Sequence, residues 1–79
     1  MMKKEDIKIG TQFIRRGTKR KDVETVTDIW KTYNLAGELV RERYVTTHEC
    51  MGQAVTDCDV VAPTIQMGTI VSAVVNEPV

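Results

Sequence analysis

"DVETVTDIWKTYN", Asp22 to Asn34, is the stretch whose reading decides the fold. Val23, Val26, Trp30 and Tyr33 recur at helical spacing, so periodicity alone permits a helix. Composition points the other way. Val23, Thr25, Val26, Thr27, Ile29 and Thr32 are β-branched, and such side chains lose rotamer freedom in a helix. The stretch therefore reads as a long strand. "LAGE" follows as a turn, in which Gly37 supplies the left-handed conformation that closes a hairpin with a bulge. "ELVRERYVTTHE", Glu38 to Glu49, returns as the partner strand. With Asn34 opposite Glu38, Val26, Trp30, Val40 and Tyr44 share one face. That face is the expected core face, which makes Trp30 mainly a core residue; the alternative is that Trp30 and Tyr44 form an aromatic patch of the kind on which small barrels stack bases or hold peptides. Ile29, Tyr33, Leu39 and Val45 share the half-wet face with Lys31, Arg41 and Arg43, and Tyr33 becomes the exposed aromatic. A slip of one residue would reverse one strand's faces relative to the other.

Outward from this hairpin the chain breaks into short pieces. Residues 1–8 are a polar lead-in, and residues 9–79 form a single small domain. Thr11 to Arg16 reads as a first strand around Phe13 and Ile14. "GTKRK", Gly17 to Lys21, is a loop by its glycine and charge density. "MGQAVTD" gives a tight turn and a strand from Gln53 to Asp57. "VVAPTIQMG" carries Pro63 among polar residues and fits one 3₁₀ turn. "TIVSAVV", Thr69 to Val75, is the last strand, stopped by "NEPV". Five short strands in 79 residues predict an all-β fold, a small five-stranded barrel with one 3₁₀ turn. Closing the barrel would remove exposed strand edges. A chain this short buries a modest fraction of its surface, so its core is small.

Charged residues make up 28% of the chain, interleaved with enough apolar runs to fold, which argues against wholesale disorder. The formal net charge is zero, but the charges are segregated. From Met1 to Lys21 eight cations face two acids, giving +6; from Asp22 to Val79 three cations face nine acids, giving −6. Such a dipolar chain attracts acidic partners, basic partners and copies of itself. No stretch is apolar enough to span a membrane. The N-terminus lacks the apolar core of a secretory signal, and two cysteines do not make a disulfide framework. The expectation is a soluble protein of the cytoplasm with reduced thiols.

"IGTQFIRRGTKRKDVETVTDI", "RYVTTHECMGQAVTD" and "DVVAPTIQMG", in this order, resemble short uncharacterised proteins encoded by tailed phages and prophages. The resemblance runs from about Ile9 to Gly68. It implies an SH3-like or Tudor-like barrel, a phage origin and, as the place of action, the host cell cytoplasm. It brings no catalytic motif, so no functional residue is carried over. Barrels of this kind serve as binding modules, although fold alone does not define function.

The basic cluster Arg15, Arg16, Lys19, Arg20 and Lys21 is the strongest functional signal. Clustered cations neutralise phosphates and release counterions, and loops carry binding residues more often than strands do. Against this, the chain as a whole is not basic, and Asp22, Glu24 and Asp28 follow closely enough to cancel part of the charge. Tyr33, Arg41 and Arg43 on the hairpin are the secondary binding candidates. In "HECMGQAVTDCD", His48 and Cys50 share a strand face, and Cys58 lies between Asp57 and Asp59. The spacing lacks the short Cys pairs of a zinc site. It also offers no third group to orient a Cys–His nucleophile, and "DCD" lacks the glycine and downstream glutamate of a calcium loop. Small buried thiols are the simpler reading. No phosphate-binding glycine motif is present.

These readings predict a non-catalytic binding module without cofactor or metal, contacting nucleic acid or a nucleoprotein through the basic loop. The alternatives are a phage-encoded inhibitor of a host defence complex that grips an acidic host protein surface, and a structural homo-oligomer paired through "TIVSAVV".

Overall fold

The structure is a computed structural model that describes residues 2–17 and 22–74. Five antiparallel strands form one sheet: β1 (Gln12–Ile14), β2 (Glu24–Tyr33), β3 (Leu39–Cys50), β4 (Gln53–Val60) and β5 (Thr69–Ser72). Their order is β4-β3-β2-β1-β5. β4 and β5 therefore lie at opposite edges, and among the described residues they do not pair. The all-β expectation holds, and the sheet is open rather than closed into a barrel.

The β2–β3 hairpin closes as its composition dictates. Asn34 N–H donates to the Glu38 carbonyl at 2.9 Å, and Gly37 stands at φ 82°. The Asn34 side-chain oxygen accepts the N–H groups of Ala36 at 3.0 Å and Glu38 at 2.9 Å, which locks the turn. The β3–β4 connection is tighter. Met51 and Gly52 both have positive φ, the geometry that matches the twist of the flanking strands.

Bulges decide which residues face the core, and two of them meet at Val45. Val26 pairs with Thr46 and Asp28 with Val45, so Thr27 is an extra residue in β2. Tyr44 pairs with Val60 and Thr46 with Asp57, so Cys58 and Asp59 both lie across from Val45. The first bulge reverses the alternation within β2. Val26 and Ile29 both turn inward, and Trp30, opposite Arg43, turns outward. The expected core face therefore divides. Val26 and Tyr44 are buried, whereas Trp30 is 51% exposed; Val40, an extra residue of β3 between the Thr32–Arg41 and Tyr33–Leu39 pairs, is exposed as well. Trp30 is not a core residue.

The core is built from Ile7, Phe13, Val26, Tyr44, Val60, Ala62 and Ile65, with Ile29 and Ile70 packed against it. Phe13 is fully buried, and truncating such a side chain to alanine costs about 3–5 kcal/mol. The polar lead-in contributes to this core. Lys4–Asp6 form a 3₁₀ turn that seats Ile7, and Lys4 Nζ pairs with Glu42 at 3.1 Å.

The segment expected to form a 3₁₀ turn is a short α-helix, α1 (Ala62–Gln66). Its Met67 N–H reaches the carbonyl of Pro63, four residues back, at 2.9 Å, which is α rather than 3₁₀ bonding. Pro63 sits in the first turn, where its missing N–H leaves no helical bond unmade. Gly68 then brings the chain against β1: a Cβ there would stand 2.6 Å from the Ile14 carbonyl oxygen, so glycine is what lets β5 dock.

Candidate nucleic-acid interface

The basic loop joins β1 to β2, and its first residue is anchored. Arg15 Nε donates to Glu24 Oε2 at 2.6 Å and Arg15 Nη2 to Glu24 Oε1 at 3.0 Å. The same Nη2 reaches Asp57 Oδ2 on β4 at 2.8 Å. Glu24 is 5% exposed, and its Oε1 also accepts the Thr46 hydroxyl at 2.8 Å. The Glu24 contact, partly offset by burial and joined by Asp57, holds the Arg15 guanidinium above its usual range. The Asp57 carboxyl is held below its range, first by the N–H of Asp59 and then by Arg15. Arg15 is thus a structural cation, tying the end of β1 to β2 and β4.

Arg16 and Gly17 continue outward, both exposed, and Gly17 takes φ 80°. Lys19, Arg20 and Lys21 lie outside the described residues. The acids expected to cancel the loop are placed elsewhere. Glu24 is buried against Arg15. Asp28 lies farther along β2, where it accepts the Ile29 N–H at 2.8 Å and the Trp30 indole N–H at 2.9 Å. Beyond Arg15, the sequence between β1 and Glu24 carries four cations, Arg16, Lys19, Arg20 and Lys21, against one acid, Asp22.

The hairpin candidates stand at the other end of the sheet. Glu24 begins β2 and Tyr33 ends it. Nine strand steps separate the two, about 30 Å at the usual rise. Tyr33 is exposed. Arg41 Nη2 lies 3.7 Å from Asp59 Oδ1, both groups mostly in solvent. Arg43 Nη1 donates to the Glu42 carbonyl at 2.7 Å. Arg41 and Arg43 share the outer face with Trp30, Thr32, Cys58 and Asp59, and these six line a shallow groove of about 210 Å³. The sequence reading missed this groove because it placed Trp30 in the core. The available signal was Thr27–Asp28, two polar residues between two positions, Val26 and Ile29, that both face inward. That pattern breaks a two-residue period and marks a bulge.

His48 and Cys50 pair with Val55 and Gln53 on the β3–β4 ladder and share one face. Cys50 is half-buried and Cys58 exposed, so the expectation of two buried thiols fails for Cys58, which the bulge at Val45 turns outward. Among the described residues no cluster of three metal-ligating side chains forms. Among them also, no helix is long and apolar enough to cross a membrane. Comparison with protein-family models, with curated proteins and with solved structures yields no match.

Proposed function

We propose that this chain is a non-catalytic binding module that contacts nucleic acid, alone or within a nucleoprotein, through the β1–β2 loop. One observation carries the reading: Arg15 gathers Glu24 and Asp57 into one cluster whose residual charge is −1, so Arg16, Lys19, Arg20 and Lys21 still outweigh the acids nearest them. Four cations within six residues displace counterions from a phosphate backbone in a sequence-independent way. The resemblance to phage-encoded proteins supports an SH3-like module in an opened form, at work in the host cytoplasm.

The test is the salt dependence of binding. Replacing Lys19, Arg20 and Lys21 with alanine removes up to three phosphate contacts. The slope of log affinity against log salt for duplex should then fall by roughly 2–3 units. A wild-type chain that leaves duplex and single strands unbound even at low salt refutes the reading. If the triple variant instead weakens a complex with an acidic host protein, the inhibitor reading replaces it.

A second reading, the homo-oligomer, draws on β4 and β5, the two edges of the sheet among the described residues. β5 is uncharged and exposes Val71, and unpaired edges template strand addition. Sedimentation across concentration separates the two: a monomer throughout removes the oligomer.

A further inference from the structure

We propose that the outer-face groove around Trp30 is a stacking site for one base of a single-stranded nucleic acid, with Arg41 and Arg43 holding the adjoining phosphates. The inference rests on the nucleic-acid reading above and adds a second contact site, with a preference for unpaired strands.

The groove is built rather than incidental. The two bulges that meet across from Val45 turn Trp30 outward on one side and bring Cys58 and Asp59 to the other. Bulges commonly re-aim side chains at binding sites. Trp30 is half open to solvent, and its indole N–H is held by Asp28 Oδ2 at 2.9 Å. The same carboxylate is fixed by the Ile29 N–H, so the ring is oriented before any ligand arrives. A preoriented aromatic loses little freedom on binding, and base–aromatic stacking is tolerant of sequence.

The cations are spaced for a backbone. Arg43 pairs directly with Trp30, and Arg41 with Thr32, the next residue of β2 on the same face. Two residues along a strand is about 6.7 Å, comparable to the step between successive phosphates of an extended single strand. Arg43 uses one guanidinium N–H on the Glu42 carbonyl, and a guanidinium has five. The acids in the groove do not close it. Asp28 is bonded to Trp30 and Ile29. Asp59 meets Arg41 at 3.7 Å with both side chains mostly solvated, a pair weak enough for a phosphate to displace. The groove is also smaller than the roughly 300–1,000 Å³ of small-molecule sites, so it suits one unit of a longer ligand.

Trp30 is the only tryptophan in the chain, so its fluorescence reports this site alone. The probe is a short deoxythymidine oligonucleotide, with the matching uridine oligonucleotide to distinguish DNA from RNA and a duplex as comparison. Single strands should quench Trp30 and slow the alkylation of Cys58 at the groove rim, and the duplex should do neither. Trp30→Ala should weaken single-strand binding roughly 5- to 160-fold, and Trp30→Phe should restore most of it. Arg41→Ala with Arg43→Ala should lower the single-strand salt slope by about 1.4. If single strands bind with full dependence on Lys19, Arg20 and Lys21 but without quenching, and Trp30→Ala binds as well as wild type, the groove proposal is overturned and the loop reading stands. If no nucleic acid binds, both fall. If an acidic peptide quenches Trp30 where oligonucleotides do not, the groove is a protein site and the proposal is overturned.

Discussion

Arg15 and Glu24 meet side by side across the first strand pair, Nε to Oε2 at 2.6 Å and Nη2 to Oε1 at 3.0 Å, with Asp57 of β4 bonded to the same guanidinium. A two-pronged contact of this kind is among the stronger polar interactions a protein makes. It is also demanding, because Glu24 is buried and finds its hydrogen-bond partners in Arg15 and Thr46.

Arg15→Ala should therefore act on stability and not on ligand. Removing one partner of a buried pair leaves the other charge uncompensated, and the partial exposure of Arg15 puts the loss at about 2–3 kcal/mol. In a domain this small that lowers Tm by more than about 10 °C. Adding Glu24→Gln should recover part of the loss, since the stranded charge is then gone. The salt slope for duplex binding should stay at its wild-type value in whatever fraction remains folded. A lowered slope at wild-type stability would return Arg15 to the binding surface.

The contrast between Arg15 and its neighbours shows where sequence reading reaches and where it stops. Strand identity was legible because β-branched residues crowd Glu24–Tyr33 and glycine punctuates the turns. β2 and β3 match their expected bounds within two residues. The hairpin pairing of Asn34 with Glu38 was also legible, since turn chemistry is local. Arg15 was not, because its partners lie nine and forty-two residues away, and only the folded register brings them together. Trp30 failed for a related reason. One extra residue, Thr27, reverses every side chain after it, and no propensity scale records a bulge. Ile7 looked like part of a polar lead-in, yet the 3₁₀ turn before it carries its side chain into the core.

Acid should weaken the fold through the carboxylates bound in these networks. Asp57 is held below the usual carboxylate range, first by the Asp59 N–H and then by Arg15. Burial pushes Glu42 up, but its bonds with the Tyr44 hydroxyl and Lys4 outweigh that and leave it lowered. A depressed folded value means that the unfolded chain takes up protons first. The stability is then fully present above the unfolded carboxylate value of about 4 and drains as pH falls through the lower folded values. Thermal unfolding from neutral pH downwards should show Tm falling below about pH 4. Asp57→Asn should be less stable than wild type at neutral pH, and the gap should close as acid protonates the wild-type carboxyl. A gap that stays constant with pH would show that Asp57 acts through packing rather than charge.

The β3–β4 turn offers the opposite experiment, a gain. Met51 adopts φ 53° and is almost fully exposed, so its side chain contributes no packing while its backbone sits in the left-handed region. For an ordinary L-residue that conformation costs roughly 1–2 kcal/mol, less for asparagine, whose short polar side chain tolerates it. Gly52 follows with φ 79°, so Met51→Asn creates the Asn-Gly pair that two-residue hairpins favour. The variant should gain about 1 kcal/mol, which in a domain this small is a rise in Tm of about 4–8 °C. Met51→Val, equally apolar but β-branched, should lose stability at the same position, because branching disfavours positive φ. If both variants melt with wild type, the turn does not hold Met51 in the left-handed region. The pairing of Cys50 with Gln53 would then have to close through a different turn geometry.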